Sequence, residues 1–163
     1  MLLPYEEARE YYRPNKVRVI FIGESRPAAG TFFYHENSNL FRYTKEAFEQ
    51  ASGAPFNCEA FKRHGCWLYD ICDEPVNKLA PAERRKQIKK GLLKLEKILK
   101  ELKPEFVIAV KKGDFLKLAS PIILNAGFIV GRTFFSLPFP ANSHQRQFAQ
   151  ELVSALRESI FRS

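Results

Sequence analysis

Cysteine, long apolar runs and linker-like tracts are scarce or missing in this sequence of 163 residues. Cys58, Cys66 and Cys72 are too far apart for a CxxC zinc motif, and their odd number does not suit a disulfide framework. No apolar run approaches the roughly 20 residues of a membrane-spanning helix. The first 12 residues are too acidic for a signal peptide. The sequence therefore predicts reduced thiols and a cytoplasmic protein, or a nuclear one in a eukaryote.

The motifs of the common nucleotide-binding folds are also missing. The chain contains neither the G-x-G-x-x-G nor the P-loop pattern. The sequence therefore gives no support to the hypothesis that the domain binds a small nucleotide or anion. It has no G-x-S-x-G elbow, which disfavours a covalent mechanism through serine. No repeat or Gly/Ser tract divides the chain, so a single domain over residues 1–163 is predicted. We expect no cofactor and no metal.

Positive charge and aromatic residues are abundant. Lys and Arg number 26 against 18 Asp and Glu, which gives a formal net charge of +8. A basic domain attracts polyanions, of which nucleic acid is the commonest, although a lysine-rich solvated surface is the alternative. The sequence has 15 Phe and six Tyr. Most of these rings should lie in the core, and some are candidates for stacking on bases.

Hydrophobic patterns predict an α/β protein. Short β-branched or apolar runs predict four strands, at residues 17–22, 66–71, 106–110 and 133–137. Helical periodicity and capping signals predict helices at 4–12, 44–51, 57–64, 82–102, 113–119 and 145–161. Strands that alternate with helices form parallel sheets covered on both faces. We therefore predict a three-layer α/β/α sandwich with a central four-stranded parallel sheet.

Polar and basic residues follow the end of every predicted strand. The set comprises Glu24, Ser25 and Arg26 after the first, Asp70 in the second, Lys111 and Lys112 after the third, and Asn142, Ser143, His144 and Arg146 after the fourth. Ligands bind at the carboxyl ends of the strands in such sheets, so these residues are expected to share one edge. A site that binds nucleic acid needs basic and polar groups gathered in this way, to contact the phosphates. The alternative is that loop ends are ordinarily polar.

Segments at these strand ends resemble, in order, the motifs of the uracil-DNA glycosylase superfamily. Gly23–Pro27 looks like the first motif, and Gly30–Tyr34 resembles the segment whose Phe stacks on the extruded base. Trp67–Ile71 lies where the family has a strand that ends in a base-reading Asn. Phe106–Gly113 resembles the third strand and its turn, and Leu137–Pro140 resembles the last motif. The resemblance covers nearly the whole chain and implies the same three-layer fold.

The resemblance also implies an activity and residue roles. It implies a monomeric, metal-free DNA glycosylase of base-excision repair, which hydrolyses the N-glycosidic bond of a flipped, deaminated or damaged, uracil-like base. Phe33 is the implied stacking residue, with Phe32 and Tyr34 as alternatives, although such a triplet also suits a core. Glu24 is the nearest carboxylate that can orient the water; alternatively it binds the amides of its own loop. Ser25 stands at the motif position often held by Asp or Asn.

Three positions depart from the family pattern: Ser25 in place of an acid, Asp70 in place of the base-reading Asn, and Leu137 in place of a His. The departures favour a second hypothesis, a nucleic-acid-binding module of the same fold without hydrolytic activity. An ionised Asp70 only accepts hydrogen bonds, so it would repel uracil O4 and suit an amino group, unless it is protonated in a dry pocket. We expect plain uracil not to be the preferred base. Alternatively, Asp70 caps the following turn.

The remaining candidates are expected to contact DNA, single- or double-stranded. The phosphate candidates are Arg26, Lys111, Lys112 and Arg146. His144, with Asn142 and Ser143, lies in the loop that in the family presses into the duplex. The lysine face of the long helix is better explained as solvated.

Charge reversal at Lys111 and Lys112 should weaken DNA binding and flatten its salt dependence. Each lost phosphate contact should lower the slope of log K against log salt by about 0.9 on duplex DNA. Affinities measured at several salt concentrations test this, with charge reversal at Lys97 and Lys100 as the control for net charge. Equal affinity in the wild type and the Lys111/Lys112 variant would refute the assignment.

Overall fold

A four-stranded parallel sheet forms the centre of the protein, as predicted. The structure, a computed structural model, describes residues 2–162. The strands are β1 (Val19–Gly23), β2 (Cys66–Asp70), β3 (Phe106–Ala109) and β4 (Phe134–Ser136), in the order β2-β1-β3-β4. The helices are α1 (Tyr5–Tyr11), α2 (Asn39–Ser52), α3 (Cys58–Arg63), α4 (Pro81–Leu102), α5 (Asp114–Asn125) and α6 (Gln145–Glu158), with a 3₁₀ turn at Phe33–His35.

Helices cover both faces of the sheet, which confirms the three-layer α/β/α sandwich. Helix α2 packs against α6, and α4 packs against α5. The connection from β1 to β2 runs one way across the sheet, and the connections through α4 and α5 run the other way. Because such crossovers are right-handed, this reversal places α2 and α4 on opposite faces. The connections leaving the neighbouring strands β1 and β3 therefore diverge, and a crevice forms between their carboxyl ends.

The core is built around the central strand and a cluster of aromatic rings. All five residues of β1 are buried, as expected for a strand covered on both faces. Between β1, α2 and α3, the rings of Phe21 and Phe61 lie 5.1 Å apart, and those of Phe48 and Phe56 lie 4.6 Å apart. Within the part of the chain that the structure describes, no helix is long and apolar enough to cross a membrane.

Two helices are longer than predicted. Helix α2, predicted at 44–51, begins at Asn39 because the side chain of Ser38 accepts a hydrogen bond from the Phe41 amide and caps the first turn. Helix α5, predicted at 113–119, continues through Pro121 to Asn125. Pro121 is exposed, and the buried Ile123 keeps the last turn packed. The last helix is shorter than the predicted 145–161 and ends at Glu158.

Helix α4 lies directly on the backbone that follows β2. A Cβ atom added to Gly91 would overlap the carbonyl oxygen of Ile71 and lie 2.8 Å from its carbonyl carbon. Glycine in a helix interior costs about 1 kcal/mol relative to alanine, so this residue is explained by the close approach. The contact fixes α4 against the strand end that carries Asp70.

Replacement of Gly91 by Ala should destabilise the fold despite the better helix propensity of alanine. The added methyl group must displace backbone, and we expect a loss of about 1–3 kcal/mol in the free energy of unfolding. Urea denaturation measures this loss. Lys90→Ala, at the exposed neighbouring position, is the control and should stay within about 0.5 kcal/mol of the wild type. Gly91→Ala with unchanged stability would contradict the tight contact.

Candidate functional site

A cavity of about 340 Å³ opens at the carboxyl edge of the sheet. Residues that end or follow all four strands line it, including Gly23–Pro27 after β1, Asp70 at the end of β2, Lys111 after β3 and Phe139 after β4. Its volume is in the range of small-molecule pockets, about 300–1,000 Å³. The cavity therefore lies where the topology places a ligand site, at the divergence of the connections that leave β1 and β3.

One wall of the cavity is aromatic. Phe32 and Phe33, from the segment after β1, line it here, and Phe139 and aliphatic side chains contribute to the rest of the lining. The ring of Phe33 is 3% exposed and packs against Phe41 and Phe61, with centroids 5.6 and 5.1 Å away. The core thus fixes the orientation of this ring. Two of the three predicted stacking residues, Phe32 and Phe33, are at the cavity.

Tyr34, the third stacking candidate, does not line the cavity, and its hydroxyl group binds the backbone of the edge strand β2. Its hydroxyl donates to the Leu68 carbonyl at 2.9 Å and accepts from the Leu68 amide at 2.6 Å. Strand β2 lies at the edge of the sheet, so no neighbouring strand bonds to the outward-facing amide and carbonyl of Leu68. The Tyr34 hydroxyl binds these two groups instead. The Tyr34 ring stacks on Tyr12 with centroids 5.6 Å apart.

The carboxyl group of Asp70 lies over the backbone of Gly23. These residues are opposite each other in the β1–β2 register, and a Cβ atom on Gly23 would overlap Asp70 Oδ1. The amides of Ile71 and Cys72 bond to the carbonyls of Gly23 and Glu24, so Asp70 does not cap this turn. Within residues 2–162, the Asp70 carboxyl has no hydrogen-bond partner, and it lines the cavity. Burial raises its pKa to about 6, against the opposing effect of Arg9 and Arg26.

Glu24 is buried between two cations. Arg84 binds both of its carboxylate oxygens, through Nε to Oε2 at 3.1 Å and through Nη2 to Oε1. Lys111 Nζ donates to Oε1 at 2.8 Å. Burial alone would raise the pKa of Glu24, but these hydrogen bonds outweigh it and hold the pKa below its ordinary value. Glu24 therefore binds side chains rather than the amides of its own loop. We call these three residues the Glu24 ion-pair cluster.

Ser25 and Arg26 organise the loops beside the cavity. Ser25 Oγ accepts a hydrogen bond from the Val76 amide at 3.1 Å. The guanidinium group of Arg26 binds a Glu74 carboxylate oxygen at 3.1 Å and lies 4.2 Å from the centroid of the Tyr5 ring. Both residues line the cavity, where the Ser25 hydroxyl oxygen already accepts a hydrogen bond and the Arg26 guanidinium group is already paired.

The predicted DNA-contacting residues divide into two groups. Lys111 and Arg26 line the cavity and form ion pairs. The others lie outside the cavity lining and are exposed: Lys112, Asn142, Ser143, His144 and Arg146. The loop after β4 turns sharply, because Asn142 and Ser143 both adopt left-handed backbone conformations, with φ of 53° and 70°. Non-glycine residues rarely adopt this conformation, so the loop is locally strained.

Several residues of the site were not identified from the sequence. The amide side chains of Asn39 and Asn77 line the cavity, and in the described chain they have no hydrogen-bond partner. Asn37 also lines it and accepts a hydrogen bond from the Phe32 amide at 2.8 Å. Asparagine is common in loops, so composition gave no signal for these three. The lining residue Phe139 lies within the last motif but was not singled out.

No protein-family model matches the chain, and no curated protein matches it either. In the part of the chain that the structure describes, no group of three or more His, Cys, Asp or Glu residues is arranged to hold a metal ion. The function is therefore inferred from the cavity, its charges and the order of the motifs.

Replacement of Glu24 by Gln should destabilise the fold by about 1–3 kcal/mol, because two partly buried cations lose their anion. The folded state lowers the pKa of Glu24, so its contribution is present at neutral pH and is lost on acidification. The difference between wild type and variant should therefore shrink as pH falls below 4.5, the ordinary value.

Urea unfolding at pH 7 and at acidic pH measures this difference. Glu74→Gln is the matched control, because its ion pair with Arg26 is exposed at the carboxylate and is worth at most about 1 kcal/mol. A pH-independent difference between wild type and Glu24→Gln would contradict an ionised Glu24.

Proposed function

We propose that the protein is a DNA glycosylase of the uracil-DNA glycosylase type, which takes one extruded base into the cavity and hydrolyses its N-glycosidic bond. The observation that carries this proposal is the composition of the cavity: an aromatic wall beside an unpaired carboxyl group and free amides, at the carboxyl edge of a parallel sheet. The order of the motifs along the chain supports the same family. The net charge of +8 suits a polyanionic substrate.

The cavity has the groups that an extruded base requires. Flipping a nucleotide costs a few kcal/mol, and a base–aromatic stack returns about 1–3 kcal/mol. We assign this role to Phe33, with Phe32 beside it, because both residues line the cavity and the core already orients the Phe33 ring. Asp70 and the amides of Asn39 and Asn77 provide polar groups for the edge of the base.

Glu24 and Lys111 are suited to the hydrolytic step. A carboxylate has about four acceptor sites, of which Arg84 and Lys111 occupy three. The remaining site can hold one water molecule. The lowered pKa makes Glu24 a weak base, so its role is to orient this water rather than to remove its proton. As the water oxygen bonds to the sugar carbon and the N-glycosidic bond breaks, the proton that the water loses neutralises the departing base anion. The remaining N–H groups of Lys111 can stabilise the negative charge of the departing base.

A nucleic-acid-binding module without hydrolytic activity is the second candidate. One observation favours it: both polar groups of the first motif that chemistry would use are engaged, Glu24 by two cations and Ser25 by the Val76 amide. The same cavity and charge would then serve recognition of an extruded or unpaired base.

Base release from labelled oligonucleotides distinguishes the two candidates. Wild-type protein, given single- and double-stranded substrates with uracil, hypoxanthine, xanthine, an alkylated or a mismatched base, should release at least one of them, detected by strand breakage in hot alkali. Glu24→Gln, assayed where circular dichroism shows it folded, should be slower by roughly 100-fold or more. Lys90→Ala, on the exposed side of α4, should retain full activity.

Failure to release any of these bases, with salt-sensitive DNA binding retained, would overturn the glycosylase assignment in favour of the binding module. Loss of both release and binding would contradict both candidates.

A further inference from the structure

We propose that Asp70 makes the cavity selective for a base whose hydrogen-bonding edge carries an exocyclic amino group. This inference rests on the proposed function, because it assumes that the cavity receives a base. It also narrows the substrate class: a damaged base that retains its amino group fits, whereas the product of deamination, in which a carbonyl replaces the amino group, does not.

Of the two carboxyl groups that line the cavity, Asp70 is the one without a hydrogen-bond partner in the described residues. The other carboxylate in the lining, Glu24, is occupied by Arg84 and Lys111. The side-chain oxygens of Ser25 and Asn37 already accept hydrogen bonds from backbone amides. Among the residues that the structure describes, no group donates a hydrogen bond to the Asp70 carboxyl. A ligand that enters the cavity therefore meets an acceptor that lacks a donor.

The position of this acceptor is fixed by the backbone. Parallel pairing places Asp70 opposite Gly23, and the absence of a side chain there leaves the space that the carboxyl group occupies. The side chain of Val110, the residue after β3, borders the same space, 3.6 Å from where a Cβ atom on Gly23 would stand. The carboxyl group thus lies at the strand ends within the cavity lining, beside an apolar surface.

An ionised carboxylate discriminates between amino and carbonyl groups because it can only accept hydrogen bonds. An exocyclic amino group donates to it, whereas a carbonyl oxygen at the same place brings two acceptors together. A hydrogen bond to a charged group contributes enough that its loss should weaken binding roughly 10- to 100-fold. Cytosine and adenine carry such an amino group, and uracil and hypoxanthine carry a carbonyl in its place.

The surroundings of Asp70 determine the pH range of this selectivity. Burial disfavours the ionised form, as does Glu24 from the loop after β1, and Arg9 from α1 and Arg26 favour it. The phenols of Tyr34 and Tyr69 and the thiol of Cys72 also lie near, each with a pKa raised by burial, and they stay neutral. With a pKa of about 6, Asp70 is ionised at neutral pH and is protonated in more acidic solution. A protonated Asp70 can donate to a carbonyl, so the selectivity should fade below this value.

Matched pairs of nucleosides test the inference directly. Deoxycytidine is compared with deoxyuridine, and deoxyadenosine with deoxyinosine, by titration into ¹⁵N-labelled protein at pH 7.5, followed through the backbone amides of Gly23 and Lys111. The amino member of each pair should bind roughly 10- to 100-fold more tightly to the wild type. In Asp70→Asn, which can turn its amide to either group, the ratio should fall towards one. In the wild type, the ratio should shrink at pH 5.

Each outcome decides a separate point. Equal affinities within each pair for the wild type, or an unchanged ratio in Asp70→Asn, would overturn the role of Asp70 and leave the proposed function standing. The pH series uses unaltered protein, so a ratio that stays constant from pH 7.5 to pH 5 overturns it even if Asp70→Asn does not fold. Absence of any shift at the cavity amides contradicts base binding, and with it both proposals. A clear amino preference in a protein that releases no base supports the role of Asp70 and refutes only the hydrolysis.

Discussion

The Glu24 ion-pair cluster holds together the part of the molecule on which the cavity depends. Glu24 follows β1, Arg84 lies in the first turn of α4, and Lys111 follows β3. The connections diverge at this point of the sheet. The Val110 amide still bonds to the Ile22 carbonyl, but beyond that pair no backbone hydrogen bond joins the three segments within residues 2–162. Charge-assisted hydrogen bonds replace them, and a buried carboxylate with two partners has little freedom to move. The crevice keeps its shape because these three side chains meet inside it.

The cavity combines two kinds of surface that come from different parts of the chain. Its aromatic wall comes from the segment after β1, where Phe33 is packed on the core. Its unpaired carboxyl group comes from β2, where Asp70 stands in place of the amide that the motif resemblance implies. A planar ligand would contact the first with its face and the second with its edge. Under the proposed function, a carboxylate in place of an amide at this position would change the base that is preferred and leave the aromatic wall unaltered.

Features that depend on interactions between residues near in sequence could be predicted, and features that depend on contacts between distant residues could not. The strands and most helices were predicted because periodicity is local, and Gly23, Glu24 and Asp70 were placed at one edge because parallel strands end together. The start of α2 at Asn39 depends on one capping side chain, Ser38, and was missed. The ion pairs of Glu24 span 60 and 87 residues, and no local pattern indicates them. Whether Tyr34 faced the cavity or the sheet edge likewise depended on tertiary packing.

The hydroxyl of Tyr34 has a consequence for how a base would be received. Tyr34 follows Phe33 in the chain, and its two hydrogen bonds attach this segment to Leu68, two residues before Asp70 on the same strand. The Phe33 ring and the Asp70 carboxyl group are therefore parts of one hydrogen-bonded unit. Their separation is set before any ligand arrives, so binding does not have to meet the entropic cost of ordering them. Under the proposed function, this fixed separation would limit the size of the base that the cavity admits, so shape would select among bases as well as hydrogen bonding.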